Sequence, residues 1–206
     1  MVEGPLLDDD PAVRGFTGYF SMPVRHGMTI GELAHLFVQE QDLGTDLEVV
    51  AMRGWRRLFW FDETGLAWVN PSPNLRSLNQ ATLYPGIGAI EGTNLSVGRG
   101  TDMPFEQVGA PWIDGTRLAL ALNARGLPGV RFYPVSFTPR SSTYAGQDCG
   151  GIFHIIIDRR RLRPVRLGLE IAAALYRLYP GEFELAAAAR LLGSRAALDR
   201  LRSGAD

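Results

Sequence analysis

The sequence predicts an α/β protein in which an α/β unit is followed, after residue 102, by a smaller α+β unit. Apolar residues recur at helical spacing after Thr29, and the short apolar runs Leu47–Met52 and Ile87–Ile90 are typical of buried strands. Two further apolar runs lie in the second half of the chain. We therefore expect a helix from about Thr29 to pack on a sheet that contains the first two runs.

The first unit begins with a loop and contains one clear helix start. Residues 1–23 are rich in Gly, Pro and Asp, and we predict a short strand near Phe16–Met22. Thr29 and Glu32 match a capping box, in which each side chain accepts a hydrogen bond from the other residue's backbone. Glu32 therefore has a structural role to weigh against catalysis. Ser77–Leu83 suits a short helix.

The stretch Leu83–Asp102 is the centre of the functional hypothesis. We predict that the apolar run Gly88–Ile90 is a strand that ends at Glu91 and opens into a Gly-rich loop with Asn94 and Arg99. Functional side chains are often found where a helix or strand ends and a loop begins. The alternative is a tight structural crossover whose polar groups satisfy one another.

The second unit, residues 103–206, contains both helix and strand patterns. Asp114 is placed to cap a helix. We interpret the run Arg159–Arg161 as a solvated face. The predicted elements are a loop at Phe105–Trp112, a helix from Asp114 to about Gly126, strands at Val130–Thr138 and Gly151–Asp158 with the second central, and helices at Pro164–Tyr179 and Leu185–Arg202.

Composition excludes several function classes. The net charge of −1 gives no electrostatic footprint for nucleic acid, and no apolar run is long enough to predict a membrane span. All 21 basic residues are arginines, because the chain contains no lysine. A single cysteine, Cys149, rules out an internal disulfide.

Common catalytic motifs are incomplete, so we predict no metal and no cofactor. A dinucleotide-binding pattern begins at Gly98, but Met103 stands at its third glycine. The three histidines, His26, His35 and His154, lack the spacing of metal ligands. The remaining carboxylates, aromatics, arginines and asparagines around Gly-rich loops suit carbohydrate chemistry.

Several residues near loops are candidates for binding a sugar. Trp60 offers a flat face for stacking, and Asn70 and Asn74 flank a proline-fixed loop. Arg25 and His26 stand just before the predicted helix. The alternative is that the aromatic residues belong to the core.

At the level of motifs, the chain resembles the NamZ-type exo-β-N-acetylmuramidases, which are bacterial peptidoglycan glycosidases. The resemblance runs through nearly the whole chain in the segments VEGP (2–5), PVRHGMTIGELA (23–34), MRGW (52–55), WFDETGL (60–66), PSPN (71–74), YPG (84–86), EGTNLSVGRGT (91–101), PFEQVGAPW (104–112), GVRFYPVSFTP (129–139), YAGQ (144–147) and CGG (149–151).

This resemblance implies a Rossmann-like catalytic domain followed by a smaller auxiliary domain, in a protein about twice as long. It implies hydrolysis of terminal muramic acid from peptidoglycan fragments, in a periplasmic or secreted setting, by an internal or C-terminal fragment that holds only part of the catalytic domain. Glycosidases use two carboxyl groups. We rank Glu91 first, Glu3 second and Glu32 third as candidates. The alternatives are a non-catalytic glycan-binding fragment and a structural or interaction domain without ligand.

Overall fold

The structure is a computed structural model that describes residues 2–204. Helices and strands both contribute to its core, so the prediction is confirmed in its coarse form, as a fold that mixes helices and strands. The elements in chain order are α1 (Ile30–Glu40), α2 (Leu78–Ile90), β1 (Gln107–Ala110), α3 (Gly115–Ala124), β2 (Val130–Phe137), β3 (Cys149–Ile156), α4 (Pro164–Leu178), α5 (Ala189–Leu192) and α6 (Arg195–Ser203), with 3₁₀ helices at Phe61–Thr64 and Leu185–Ala188.

The three strands form one antiparallel sheet in the order β1-β3-β2. Val130 of β2 pairs with Ile156 of β3, and Phe137 pairs with Cys149, so the two strands run alongside each other for eight residues. The prediction that the strand near Ile152 is central is confirmed. Helix α3 packs against β2 and β3, and it begins at the predicted cap, where the Asp114 side chain accepts a hydrogen bond from the backbone.

The core is completed by helices α2 and α4, which cross at a pair of glycines. A methyl group added to Gly86 would lie 1.7 Å from the carbonyl oxygen of Pro164, and one added to Gly168 would lie 2.2 Å from that of Gly86. Only residues without a side chain permit this separation. Buried apolar residues such as Ile87 and Ile171 pack around the crossing.

The N-terminal segment caps two helices of the C-terminal half. An oxygen of Glu3 accepts a hydrogen bond from the backbone N–H of Arg166, in the first turn of α4, at 2.9 Å. Asp8 accepts bonds from the Ser194 hydroxyl at 2.8 Å and from the backbone N–H of Arg195 at 2.7 Å, at the start of α6. These bonds, that from Ser194 foremost, lower the pKa of Asp8.

Three strand predictions in the first unit are wrong. Ile87–Ile90 belongs to α2, because burial against α4 satisfies its apolar side chains as well as a sheet would. Leu47–Met52 is neither strand nor helix, and Val50 in this run is 88% exposed. Phe16–Met22 contains only one end of an isolated bridge, between Gly15 and Gly18. Within residues 2–106 the structure contains no strand, only isolated bridges.

Two predictions in the second unit also need correction. Phe105–Trp112 was predicted as a loop, but it contains the short strand β1, which the pairing with β3 stabilises. Leu185–Arg202 was predicted as one helix and is divided into three pieces. Gly193 ends α5 with φ +74, and Ser194 then caps α6. No helix within residues 2–204 is long and apolar enough to cross a bilayer.

Candidate functional site

A cleft of about 310 Å³ lies where the loop before the first 3₁₀ helix meets α2 and the start of α4. Four of its lining residues are arginines, and none of the described residues that line it is a carboxylate. This volume suits a small ligand such as one or two sugar residues. The lining residues are Arg25, Arg57, Leu58, Phe59, Trp60, Thr82, Arg159, Arg160, Leu162 and Pro164.

Two of these arginines are held by carboxylates that lie outside the cleft wall. Arg57 forms an ion pair with Glu32 and donates a hydrogen bond to the carbonyl oxygen of Gly27 at 2.7 Å. Arg25 lies 3.8 Å from Glu3, and the backbones of these two residues form a bridge. These contacts hold the two guanidinium groups beside the cleft that Arg25 and Arg57 line.

The cleft lining also contains two other arginines beside an aromatic ring. Arg159 contacts Asp62 at 2.6 Å, and its guanidinium carbon lies 4.8 Å from the centre of the Trp60 ring. Arg160 contacts Glu63 at 3.0 Å. The hydrogen bond from Arg159 lowers the pKa of Asp62, and Asp62 raises that of Arg159. One face of Trp60 is thus covered by a guanidinium in a cation–π contact.

Glu91, the first-ranked carboxylate, forms a bidentate ion pair with Arg99. It stands at the C-terminal cap of α2, and the second bond of the pair measures 2.9 Å. Arg99 also lies 4.9 Å from the centre of the Phe105 ring. The bond to Glu91 raises the pKa of Arg99. The pair thereby ties the end of α2 to the Gly-rich loop.

The rest of the Gly-rich loop is also satisfied from within the protein. The amide of Asn94 donates to the carbonyl of Glu182 at 2.7 Å and accepts from the backbone of Glu184 at 2.9 Å. Gly98 and Gly100 have φ of +78 and +79, which glycine adopts at little cost. This arrangement matches the structural crossover that we considered as the alternative for this loop.

The structure brings together only some of the predicted site residues. Arg25 and Trp60 share the cleft, whereas Glu91, Asn94 and Arg99 do not line it. The prediction that all of them converge on one cleft is therefore wrong, because Glu91 was placed at a strand end that is in fact the end of a helix.

The remaining candidates lie elsewhere or have local partners. His26 lines a neighbouring groove, and its Nδ1 accepts a hydrogen bond from the backbone of Met28 at 3.1 Å. Asn70 is exposed and Asn74 is partly exposed, and neither lines the cleft. Glu32 forms the predicted capping box, and the backbone bond from Thr29 lowers its pKa.

Sequence reasoning missed Arg57, Arg159 and Arg160. The last two were interpreted as a solvated face, but they line the cleft. The mixture of tryptophans and arginines around Arg57 was the only sequence signal for these residues. It does not show which other part of the chain packs beside this segment. No three His, Cys, Asp or Glu side chains among residues 2–204 are grouped as metal ligands. Burial raises the pKa of the Cys149 thiol to about 11, which disfavours the nucleophilic thiolate.

Comparison with known proteins shows which family this chain resembles. The family model described as exo-beta-N-acetylmuramidase NamZ, C-terminal, matches residues 82–206, and the corresponding N-terminal model matches residues 1–79. The cleft is lined by residues from both matched segments.

Three individual proteins are similar to this chain. The peptidoglycan beta-N-acetylmuramidase NamZ of Bacillus subtilis is 45% identical over 183 residues, which are 89% of this chain and 44% of that protein. A crystal structure of a DUF1343 family protein from Bacteroides fragilis matches with a TM-score of 0.88 and 28% sequence identity. The match covers all of this chain and 56% of the Bacteroides chain. A second DUF1343 structure from that organism matches with a TM-score of 0.72 and 25% sequence identity. That match covers all of this chain and 55% of the second Bacteroides chain.

The chain thus spans about half the length of the relatives that it matches. The two family models together extend over nearly all of it, and they meet between residues 79 and 82, ahead of the boundary at residue 102 that we predicted from sequence. On this basis the chain belongs to the NamZ family of exo-β-N-acetylmuramidases.

Proposed function

We propose that the chain is part of an exo-β-N-acetylmuramidase, which hydrolyses terminal β-linked N-acetylmuramic acid from the non-reducing end of peptidoglycan fragments. The observation that supports this most directly is the cleft, where guanidinium groups and an aromatic ring from the two family segments face a sugar-sized volume. Its substrates lie in the cell wall, so we place the protein in the periplasm or outside the cell, which cell fractionation tests.

Recognition of muramic acid requires a partner for its lactyl carboxylate. A guanidinium binds a carboxylate through two parallel hydrogen bonds, and Arg25 and Arg57 present such groups to the cleft. Trp60, which lines the cleft beside Arg159, supplies an aromatic ring for stacking on a sugar. We assign lactyl recognition to the Arg25 and Arg57 wall.

Hydrolysis requires a carboxylic acid and a second carboxylate, about 5–5.5 Å apart for retention of configuration or about 6.5–9.5 Å apart for inversion. Glu3 and Glu32 accept backbone hydrogen bonds at the starts of α4 and α1, and Glu91 is bound to Arg99. Glu32 and Glu91 are thus occupied as structural partners, whereas Oε2 of Glu3 is buried without a hydrogen-bond partner among the described residues. We propose that the chain contributes the binding wall and that the catalytic pair requires further residues.

The test is a chimeric protein in which this chain follows the preceding part of the B. subtilis relative. We expect the 206-residue chain alone to bind N-acetylmuramic acid glycosides with little or no turnover of a chromogenic muramide, and the chimera to turn it over. Turnover by the short chain would show that both carboxyl groups are already present. Failure of both proteins to bind the glycoside would contradict the proposed function.

Glu91 is tested in the same chimera by Glu91→Gln, which keeps the shape of the side chain and removes its charge. If Glu91 holds Arg99 in place, the variant loses stability and keeps kcat within about tenfold, since no reacting group is removed. Arg99→Gln is the matched variant and gives the same result. A fall of several orders of magnitude in kcat for Glu91→Gln alone would instead make Glu91 catalytic.

We also propose that residues 2–79 form part of a Rossmann-like domain. The run Leu47–Met52, which is neither helix nor strand here, supports this, because it exposes apolar side chains such as Val50 and Met52 that a sheet would cover. In the chimera, amide hydrogens of this run should exchange more slowly with solvent than in the isolated chain. Equal exchange in the two proteins would contradict this assignment.

A further inference from the structure

We propose that the groove beside His26 is a second glycan-binding site, which takes a further muramic acid residue of the same peptidoglycan strand, and this inference rests on the proposed function. The groove has a volume of about 360 Å³ and lies between the N-terminal segment, α1 and α5. None of the described residues that line it is a carboxylate. Its size suits one small ligand or a single sugar unit.

A tight turn presents an aromatic ring at this groove. Gly15 and Gly18 exchange two backbone hydrogen bonds of 3.1 Å, which fix the shape of the turn. Phe16 lies within the turn, lines the groove and is 100% exposed. Tyr19 is 65% exposed, and its hydroxyl donates a hydrogen bond to the Gln41 side chain at 3.2 Å, which orients the ring. Exposed rings held in this way offer flat faces on which a sugar stacks.

The groove also contains the guanidinium group of Arg190. Arg190 is exposed, and it forms no hydrogen bond or ion pair with any residue that the structure describes. A methyl group added to Gly15 would lie 3.2 Å from Nη2 of Arg190, so the guanidinium lies against the turn that carries Phe16. In the cleft, by contrast, each lining arginine contacts a carboxylate of the chain. A ligand carboxylate therefore binds Arg190 without displacing a protein partner.

His26 adds a hydrogen-bond donor and links the groove to the cleft. Because its Nδ1 accepts the bond from the Met28 backbone, the neutral ring carries its proton on Nε2, which has no partner among the described residues. The preceding residue, Arg25, lines the cleft, so the groove and the cleft border the same short segment.

A peptidoglycan strand has the chemistry that this groove requires. Muramic acid alternates with N-acetylglucosamine along the strand, so a second lactyl carboxylate follows the one bound in the cleft. The exposed rings match the faces of the sugar, the imidazole N–H matches a hydroxyl or carbonyl oxygen, and the guanidinium matches the carboxylate. A strand that occupies both sites gains affinity because its second contact is intramolecular.

Isothermal titration of the 206-residue chain with strands of increasing length tests this inference. The ligands are the peptide-free N-acetylmuramyl-N-acetylglucosamine disaccharide and strands of two and three such repeats. We expect the longer strands to bind about tenfold tighter than the disaccharide, the size of one charge-assisted contact. N-acetylglucosamine oligosaccharides of the same lengths lack the lactyl acid and should show no such gain. An equal gain with them would overturn the inference.

Arg190→Gln and Phe16→Ala should each remove the gain and leave the affinity for the disaccharide unchanged, because neither residue lines the cleft. Arg161→Gln is the matched control, since Arg161 is exposed and lines neither the groove nor the cleft. Equal affinity for the disaccharide and the longer strands, or a gain that persists in Arg190→Gln, would overturn the inference and leave the proposed function intact. Absence of binding for every muramic acid ligand would contradict the proposed function itself.

Discussion

His154 is the least ordinary residue of the core. It lies in the central strand, it is 1% exposed, and neither of its ring nitrogens has a hydrogen-bond partner among the described residues. Its neighbour across the sheet is Phe132, whose ring centre is 6.0 Å away. Burial lowers the pKa of His154 from 6.5 to about 3, so the folded protein holds this imidazole in its neutral form.

This burial predicts a stability that depends on pH. The unfolded chain binds a proton at His154 below pH 6.5 and the folded chain does so only near pH 3, so stability falls as pH decreases between these values. We expect a loss of roughly 2–3 kcal/mol at about pH 4.5. His154→Leu should remove this component, which urea unfolding at about pH 7 and pH 4.5 measures.

Exposed His35, changed to Leu, is the control for that experiment. It should keep the pH dependence of the original chain. Equal loss of stability in the His154→Leu protein and the original would show that His154 does not contribute to acid unfolding.

Helix caps could be predicted from sequence where the two residues that form the hydrogen bonds are close in the chain. Thr29 and Glu32 are three residues apart, and their capping box is confirmed. The caps that Glu3 and Asp8 supply to α4 and α6 join residues more than 160 positions apart. No local pattern encodes such a pair, because it depends on how the whole chain folds.

At the scale of elements, α2 shows how tertiary packing overrides local preference. Pro85 and two glycines within α2 disfavour a helix, and the short apolar run Ile87–Ile90 is compatible with a strand. The crossing with α4 decides the outcome, because Gly86 allows the two helices to touch. Sequence alone did not reveal this contact.

Gly86→Ala tests that crossing. The added methyl group would lie 1.7 Å from the carbonyl oxygen of Pro164, so the helices must separate. We expect a loss of about 1–3 kcal/mol or more in the free energy of unfolding, measured by denaturant titration. Gly181→Ala is the control, since no atom lies within 4 Å of its added methyl group. Equal effects of the two substitutions would contradict the crossing.

Asp8→Ala tests the cap that the N-terminal segment places on α6. Loss of a helix-capping side chain costs about 0.5–2 kcal/mol, and here it also releases the segment from Ser194. Amide exchange in α6 should accelerate accordingly. Asp9→Ala is the control, because Asp9 is 98% exposed and pairs only with nearby Arg14 in the described structure. Unchanged exchange in Asp8→Ala would show that the cap is dispensable.

For the whole molecule, the sequence predicted the second unit far better than the first. The elements around Asp114, Val130, Ile152 and Pro164 were confirmed because each packs on near neighbours in one compact core. The prediction of a strand at Leu47–Met52 was wrong. A strand needs a neighbouring strand to pair with, and the described residues provide none for this run. Of the ten residues that line the cleft, two, Arg25 and Trp60, were among the site residues named from sequence.

Charge is divided unevenly along the chain. Residues 1–102 contain 13 carboxylates and 7 arginines, and residues 103–206 contain 9 carboxylates and 14 arginines. Several ion pairs join the two parts, including Asp10 with Arg195 and Asp62 with Arg159. Opposite charge therefore contributes to holding the N-terminal part against the C-terminal core, in addition to the caps.

This division predicts that salt loosens the N-terminal part before it affects the core. Exposed ion pairs are weak and are screened by salt, and the screening length falls from about 10 Å to about 3 Å between about 0.1 M and 1 M salt. Hydrogen exchange of peptides around Asp62 and Glu63 should accelerate several-fold at high salt, while peptides of α4 remain unchanged. Arg159→Gln should reduce this salt dependence, because it removes the contact with Asp62 at 2.6 Å. Equal salt effects on both regions would show that the caps and apolar contacts alone hold the two parts together.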